Sequence, residues 1–382
     1  MKILFSSLGS HGHTYPLLPL AAAAAAQGHD VTYATSAEFA GAVERLGLRH
    51  LTAGLSQREA LAATFGPGEP GRPGAVPEEV IAEVFGRVLP RSFHDDLVPF
   101  LAEWRPDLVV HEVGNPGAGL AARTAGVPAL CHGFGRMWSA DALFSRTPGP
   151  LVDYAAELGV DLPAEDPIVL GNTYLDVCPP SVQDQRFLAA NDTVPLRPVP
   201  FAEPGELPGW VTAHDRPLVY LTLGTVFGDP GVLRAAIAGL AAVAGARVLV
   251  ATGPTIDVAE LGGVPDHVEL LGWVPQADLL PHTDLVVHHG GSGTTMGAFS
   301  VGVPQLVLPQ GADQFGNADA VVEHGLGEQL VGEGVTAEAV AERARRLLAD
   351  DAVRDAARAV AAEVAAMPSP AEVAARLPEY TR

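Results

Sequence analysis

Short apolar runs alternate with helical segments twice along the chain, once in each half. In the first half, residues 2–8 and 30–35 read as buried strands around an Ala/Leu-rich helical segment at 13–27. The rhythm restarts at residues 218–223 and continues to 285–289. Strands joined by crossover helices form parallel sheets. The sequence therefore predicts an α/β protein with two Rossmann-like halves in tandem.

Two proline-rich and glycine-rich stretches interrupt this rhythm. Residues 55–95 lose the alternation, carry a dense Gly/Pro run at 66–74, and are predicted to form a mobile loop. Five prolines between residues 195 and 208 exclude a helix interior or a central strand there. A chain of 382 residues suits two domains. We therefore expect an amino-terminal domain at 1–205 and a second domain at 206–364.

Charge and cysteine content narrow the class of function. The formal net charge of −22 disfavours nucleic acid or an anionic membrane as a partner. Cys131 and Cys178 are the two cysteines, too few for a framework of disulfides. The apolar stretches near the amino terminus are shorter than a signal core or a membrane span. These features predict a soluble cytoplasmic protein.

A glycine-rich segment, residues 288–295, leaves a strongly apolar strand and enters a helix. Such a junction directs backbone N–H groups and the positive end of the helix dipole at one point, which suits a phosphate. His289 and Thr294 add side chains that can donate hydrogen bonds to it. A capped glycine-rich turn with no ligand remains open at this stage. A metal site at the paired histidines is disfavoured, because neighbouring strand residues face opposite ways.

Residues 272–276, 289–295 and 304–314 together resemble the donor signature of family 1 glycosyltransferases, in particular the actinobacterial enzymes that decorate antibiotics and other polyketides. The resemblance spans essentially the whole chain. It implies the GT-B fold, in which two Rossmann-like domains face each other across a cleft. It also implies that a terminal helix at 365–382 returns to the amino-terminal domain.

The resemblance also implies donor-binding roles for particular residues. Trp273, Val274 and Gln276 are expected to hold the nucleobase and ribose. The diphosphate is expected to be bound by His289, Gly291, Gly293 and Thr294, with Ser292 beside them, and to be faced by the turn that contains Gly224 and Thr225. Asp313 and Gln314 are expected to bind sugar hydroxyls. Taken alone, Trp273 is equally typical of a core aromatic, and Asp313 with Gln314 of an exposed loop.

The turn after the first strand lacks the dinucleotide fingerprint, because Gly9 and Gly12 are spaced wrongly for it. In the family this stretch supplies the catalytic base, which implies that role for His13. An imidazole titrates near neutral pH and can accept a hydroxyl proton. Glu112 ends a strand where relatives usually carry Asp, and is expected to orient His13. His111, facing the other way, is expected to be structural.

The predicted reaction is one direct displacement, which inverts the anomeric centre. No Asp-x-Asp sequence ends a strand, so no metal and no other cofactor is expected. Many relatives that use UDP-sugars carry a glutamate where this chain has Gly297, so a dTDP-sugar, in particular a dTDP-deoxysugar, is the expected donor. The acceptor is expected to be a small polyketide or antibiotic aglycone near Phe134, Trp138 and Phe144.

Three other classes of protein fit the sequence less well. A non-catalytic auxiliary partner of the same fold is disfavoured by the presence of both His13 and Glu112. A nucleotide-sugar epimerase would carry more acid and base groups around the sugar. An NAD-dependent oxidoreductase is disfavoured by the missing fingerprint. The acceptor, the sugar, the atom that is glycosylated and the oligomeric state, a homodimer among the options, stay open.

Overall fold

The structure is a computed structural model that describes residues 1–65, 76–137, 147–201, 205–224, 229–253, 256 and 258–381. The chain forms two compact units. Unit 1 comprises Met1–Val199 and Met367–Arg382, and unit 2 comprises Pro200–Ala366. The domain boundaries at 205/206 and 364/365 stay a prediction.

Unit 1 is built on a parallel sheet of seven strands in its described residues. The strands, in chain order, are β1 (Lys2–Ser6), β2 (Asp30–Thr35), β3 (Arg49–Thr52), β4 (Leu108–Glu112), β5 (Ala129–His132), β6 (Tyr174–Asp176) and β7 (Thr193–Pro195). Their spatial order is β3-β2-β1-β4-β5-β6-β7. The register places Ser6 beside His111, and Glu112 beside His132.

Helices cover this sheet. They are α1 (His11–Thr14), α2 (Leu18–Ala26), α3 (Ala40–Arg45), α4 (Gln57–Phe65), α5 (Glu78–Glu83), α6 (Leu89–Trp104), α7 (Pro116–Ala125), α8 (Pro148–Glu157) and α9 (Gln185–Ala190), with a π-helical turn at Val84–Val88 and 3-10 turns at Ala37–Phe39 and Pro167–Val169. Leu4 and Val109 of the sheet pack against Phe93 and Leu97 of α6 in one apolar core. Because both faces of the sheet are covered, its inner strands are mostly buried and mostly apolar.

Unit 2 repeats this plan with a parallel sheet of six strands in its described residues. The strands are β8 (Leu218–Thr222), β9 (Arg247–Ala251), β10 (Val268–Leu271), β11 (Leu285–His288), β12 (Gln305–Val307) and β13 (Gly327–Gln329), in the order β10-β9-β8-β11-β12-β13. The helices are α10 (Pro230–Ala241), α11 (Gln276–Leu279), α12 (Ser292–Val301), α13 (Gln314–Glu323), α14 (Ala337–Ala349) and α15 (Asp351–Ala366), with 3-10 turns at Val258–Leu261, Leu280–His282 and Gly332–Gly334.

The terminal segment belongs to unit 1. Its helix α16 (Pro370–Arg376), followed by a 3-10 turn at Leu377–Tyr380, packs against α2. Ser369 and Glu372 form a reciprocal capping box that fixes its start. Gln27 Nε2 donates a hydrogen bond to the carbonyl of Ala371 at 2.7 Å. The alanines of α2 bring the two helices close together.

The prediction of a loop over residues 55–95 was wrong for most of that stretch. Helices α4, α5 and the first part of α6 occupy its described residues. The Gly/Pro run that prompted the prediction coincides with residues 66–75, which lie outside the described residues. Leu89 and Phe93 belong to the apolar core, so burial stabilises the helices of this stretch. The local composition did not indicate that burial. Most predicted strands were also one or two residues too long at their carboxyl ends.

In the described parts of the chain, no helix combines the length and apolar character needed to cross a membrane. The cytoplasmic location predicted above stays a prediction.

Candidate active site

Each sheet reverses its strand order at one place, and some of the predicted site residues lie there. In unit 1 the reversal falls between β1 and β4, and in unit 2 between β8 and β11. Parallel α/β sheets bind ligands beyond the carboxyl ends of their strands at such switch points. His13 follows β1 and Glu112 ends β4, while Thr222 ends β8 and His288 ends β11.

His13 and Glu112 form a close pair. His13 Nδ1 lies 3.1 Å from Glu112 Oε1, with the carboxylate side chain fully buried and the imidazole 18% exposed. The same oxygen accepts a hydrogen bond from the backbone N–H of Gly114. A Cβ at Gly114 would lie 2.8 Å from Glu112 Oε1 and 2.9 Å from His13 Cε1. Glycine is therefore needed at position 114 for the two side chains to meet.

Buried hydroxyl groups hold the short helix α1, which carries His13. Ser7 Oγ donates to Thr14 Oγ1 at 3.1 Å, and Thr14 Oγ1 donates to the carbonyl of Leu8 at 3.0 Å. The hydroxyl of Tyr33 lies 3.0 Å from both Ser7 Oγ and the carbonyl of Thr14. These contacts fix the backbone on both sides of His13.

Phe134 is the one predicted acceptor residue that the structure describes. It is buried, and its ring meets the His13 ring edge-on, with centroids 4.8 Å apart. Trp138 and Phe144 lie outside the described residues.

His111 is fully buried on the opposite face of β4. Asn172 Nδ2 donates to His111 Nε2 at 2.9 Å, so Nδ1 carries the proton and donates to the carbonyl of Glu112 at 3.2 Å. Burial lowers the pKa of His111 to about 4. These contacts hold the backbone at the end of β4, which is a structural role.

The glycine-rich segment of unit 2 forms the predicted strand-to-helix junction. Gly290 has a φ of +93°, and α12 begins at Ser292. No described side chain caps this helix. The N–H groups of its first turn, from Ser292 to Thr294, are consequently the ones that an α-helix leaves unpaired. This arrangement can receive an anion.

The His289 ring is bracketed by two glycines. A Cβ at Gly224 would lie 2.6 Å from His289 Nε2, and one at Gly291 would lie 2.4 Å from it. Burial lowers the pKa of His289 to about 4, so its imidazole is neutral at physiological pH. Thr225, the neighbour of Gly224, lies outside the described residues.

The segment after β10 presents one aromatic side chain to solvent. Trp273 is 49% exposed, whereas Val274 is buried in the apolar core. Gln276 Oε1 accepts a hydrogen bond from Thr294 Oγ1 at 3.1 Å and one from the Tyr220 hydroxyl at 3.3 Å. Gln276 is thereby linked to the first turn of α12.

Asp313 and Gln314 make different contacts. Asp313 Oδ2 accepts from Ser292 Oγ at 2.7 Å and from Asn317 Nδ2 at 3.1 Å. Gln314 is buried, and its Oε1 accepts from the N–H groups of Gln310 and Gly311 at 2.8 and 3.1 Å. Sequence reasoning missed Asn317, although its place four residues after Asp313 puts it on the same helix face.

Both halves of the chain match one family. Residues 237–380 match the model of the "Erythromycin biosynthesis protein CIII-like, C-terminal domain", and residues 78–224 match the model of the corresponding N-terminal domain. The chain belongs to this family.

Named relatives agree with the match. The L-demethylnoviosyl transferase of Streptomyces niveus is 37% identical over 98% of this chain and 97% of the relative. The elloramycin glycosyltransferase ElmGT of Streptomyces olivaceus is 34% identical over 99% and 97%. The solved structure of the glycosyltransferase SsfS6 of Streptomyces sp. SF2575, complexed with thymidine diphosphate, covers 99% of both chains with 29% identity and a TM-score of 0.79.

These findings confirm that the chain is a glycosyltransferase of the antibiotic-biosynthesis type, with the GT-B fold. The predicted class and family are therefore correct. The matches assign no roles to the individual site residues.

Proposed function

We propose that this chain transfers a sugar from a dTDP-sugar to a hydroxyl of a small natural product, with inversion at the anomeric carbon. The observation that carries the proposal is the His13–Glu112 pair beyond the switch point of the unit 1 sheet. The relatives support the substrate class, since one is named a demethylnoviosyl transferase, another an elloramycin glycosyltransferase, and one solved relative holds thymidine diphosphate.

His13 is the general base in this proposal. With Nδ1 turned towards the buried Glu112 carboxylate, Nε2 is the nitrogen that would take the acceptor's proton. The carboxylate stabilises the imidazolium that forms, and the bond from Gly114 fixes the oxygen that faces His13. Phe134, packed against the His13 ring, is proposed to border the acceptor together with Trp138 and Phe144.

The leaving diphosphate is assigned to the junction between β11 and α12. No Lys or Arg occurs in residues 288–297, so we assign the binding of the diphosphate to neutral hydrogen-bond donors there. They are the N–H groups of Ser292, Gly293 and Thr294 and the neutral His289 imidazole, joined by the Thr294 hydroxyl once it turns from Gln276 to the diphosphate. Gly224 and Gly291 allow close approach, and Thr225 belongs to the turn that is proposed to face the diphosphate. Preorganised donors of this kind stabilise charge without reorganisation during the reaction.

The remaining donor groups read the nucleoside and the sugar. The exposed Trp273 ring is proposed to stack on the nucleobase, with Val274 and Gln276 completing that part of the site. Asp313 and Gln314 are proposed to hold sugar hydroxyls. Because Gln314 Oε1 is already occupied, its Nε2 group is the part available for that role.

The proposal is tested by incubating the purified protein alone with several dTDP-sugars, with and without a panel of polyketide aglycones. Transfer, or slow donor hydrolysis that yields dTDP and inverted free sugar, is expected without any second protein. Product of retained configuration would contradict direct displacement. Conversion of the donor into an epimeric dTDP-sugar, seen by NMR without acceptor, would favour the epimerase instead.

A further inference from the structure

Buried side chains hold the glycine turn at Gly290 and Gly291, which leads into α12. These side chains are not among the proposed ligand contacts. Gly290 donates its N–H to His288 Nδ1 at 3.1 Å, and its carbonyl accepts from Asn317 Nδ2 at 2.8 Å. A Cβ at Gly290 would lie 2.8 Å from both the Gln314 carbonyl and Val307 Cγ1. The peptide groups around Gly290 are thus held on both sides, in a conformation that favours glycine.

The hydrogen bond from Gly290 identifies the tautomer of His288. An imidazole nitrogen that accepts from a backbone N–H carries no proton, so the neutral ring must bear its proton on Nε2. That nitrogen lies 2.9 Å from Gln305 Oε1, which is an acceptor. His288 and Gln305 are both fully buried. The Gln305 carbonyl oxygen therefore selects the one tautomer of His288 that can hold Gly290.

Burial makes this arrangement a stable one. It lowers the pKa of His288 to about 3, which excludes the doubly protonated ring near neutral pH. A buried N–H without its partner would destabilise the turn. The turn is consequently fixed before any ligand arrives, which spares the cost of ordering it during binding.

We propose that His288, set in its Nε2–H tautomer by Gln305, is the positioning residue of the diphosphate turn. It touches no substrate and acts through Gly290, which precedes the first N–H donors of α12. The inference rests on the proposed function, since that function assigns the diphosphate to this turn. The positioning role of His288 affects the affinity for the diphosphate and not that for the nucleobase or the acceptor.

Two substitutions at His288 separate its two hydrogen bonds. In His288→Asn, the side-chain oxygen occupies roughly the place of Nδ1 and can still accept from Gly290. In His288→Gln, the amide reaches roughly the place of Nε2 and can pair with Gln305, but offers no acceptor to Gly290. Gln is the larger of the two replacements and leaves the smaller cavity, so a packing effect alone would favour it.

The test compares the affinity for dTDP with that for thymidine, which lacks the diphosphate, in the full-length chain. We expect His288→Gln to weaken dTDP binding about tenfold and thymidine binding less than twofold, and His288→Asn to stay within about threefold of wild type for both. Equal losses of dTDP affinity in the two variants, or equal losses for dTDP and thymidine in His288→Gln, would overturn the inference.

His289→Ala distinguishes failure of the inference from failure of the proposed site. If it weakens dTDP binding while His288→Gln does not, the positioning role is wrong and the phosphate site stands. If neither variant weakens it, the phosphate site is wrong and the inference falls with it.

Gln305→Leu provides a second route if the His288 variants do not fold. It leaves the imidazole in place but removes the acceptor that selects its tautomer. NMR of the protein labelled with ¹⁵N in its imidazoles should show His288 protonated on Nε2 in wild type. We expect some of the Nδ1-protonated form to appear in Gln305→Leu, together with weaker dTDP binding. An Nδ1-protonated His288 in the wild type would refute the proposal.

Discussion

His13 Nδ1 lies 3.1 Å from Glu112 Oε1, although glutamate is one methylene longer than the aspartate that the family resemblance leads one to expect. The extra length is accommodated at Gly114, whose missing Cβ leaves room for both side chains and whose N–H binds the same carboxylate oxygen. The pair is buried on its carboxylate side and partly exposed on its imidazole side. That asymmetry suits a base whose partner is fixed while the imidazole stays open to an acceptor.

Glu112→Gln should lower turnover by about tenfold, less than loss of the base itself. The amide still accepts a hydrogen bond but no longer offsets the charge of the imidazolium. Steady-state rates at saturating donor and acceptor measure the effect. Glu112→Asp is the matched control, because it keeps the carboxylate but, being one methylene shorter, places it farther from His13. A Glu112→Gln enzyme that is more active than wild type would contradict the pairing.

Chelation by EDTA should leave the transfer rate unchanged. The proposal gives the phosphate charge to the N–H groups of α12, to neutral His289 and to Thr294, so no cation is needed to stabilise the leaving group. The rate is measured after dialysis against EDTA, with and without added magnesium. Strong inhibition that magnesium reverses would show that a metal takes this role.

The protein should bind dTDP at least as tightly as UDP. A glutamate at position 297 would form charge-assisted hydrogen bonds with both ribose hydroxyls, and glycine removes that preference for the 2′-hydroxyl. Calorimetric titration of both nucleotides decides the question. UDP binding tenfold tighter, a difference of ~1.4 kcal/mol, would refute the deoxyribose reading.

Gly297→Glu should shift this preference towards UDP, and Gly297→Gln is the control of equal size without charge. A Cβ at position 297 would lie 2.7 Å from Leu280 Cδ1, the end of a flexible side chain that can move aside. Both variants share that cost, so the difference between them reports the carboxylate. A Gly297→Glu protein that gains affinity for dTDP would contradict the prediction.

A buried carboxylate at the end of β6 should make stability depend on pH. Asp176 Oδ1 accepts from the N–H of Cys178 at 2.9 Å and from Gln183 Nε2 at 3.0 Å. Burial raises the pKa of Asp176 from 3.8 to about 7. The native state thus binds the proton more tightly than the unfolded state, so this stabilisation is full below about pH 4 and is lost as the pH rises through 7.

Asp176→Asn removes this titration. We expect the Tm of the variant, relative to wild type, to be higher at pH 8 than at pH 5.5, by several degrees. Its amide also faces Gln183 Nε2, a cost that does not vary with pH and cancels in the comparison. Thermal unfolding at the two pH values measures the difference. A Tm difference that is the same at both would show that Asp176 does not titrate in this range.

The sequence predicted the architecture because the inner strands of parallel sheets are continuous apolar runs, as in β8 and β11. The short edge strands β7 and β13, of three residues each, carry too little pattern to be recognised. The helices over 57–65 and 78–95 were missed because the adjacent Gly/Pro run dominated the local composition. Burial against the sheet, which no local signal records, decides their conformation.

The motifs of the candidate site are local in sequence, but several of the contacts that hold them are not. The turn at residues 288–295 and the proposed base His13 stand in compact motifs. Asn317, which binds Ser292 Oγ, Asp313 Oδ2 and the Gly290 carbonyl, and Gln305, which faces His288, reach the turn only through the packing of α13 and β12. Their roles depend on long-range contacts that spacing alone does not show.

The central claim, that His13 is the base, is tested most directly by the turnover of His13→Ala measured beside its affinity for dTDP. His11→Ala is the matched control, because His11 lies on the same short helix and packs edge-on against Tyr15 and Phe39. We predict that His13→Ala lowers turnover at least ~100-fold, the typical effect of losing a general base, while the Kd for dTDP changes less than about twofold. Transfer by His13→Ala at the wild-type rate would contradict the account.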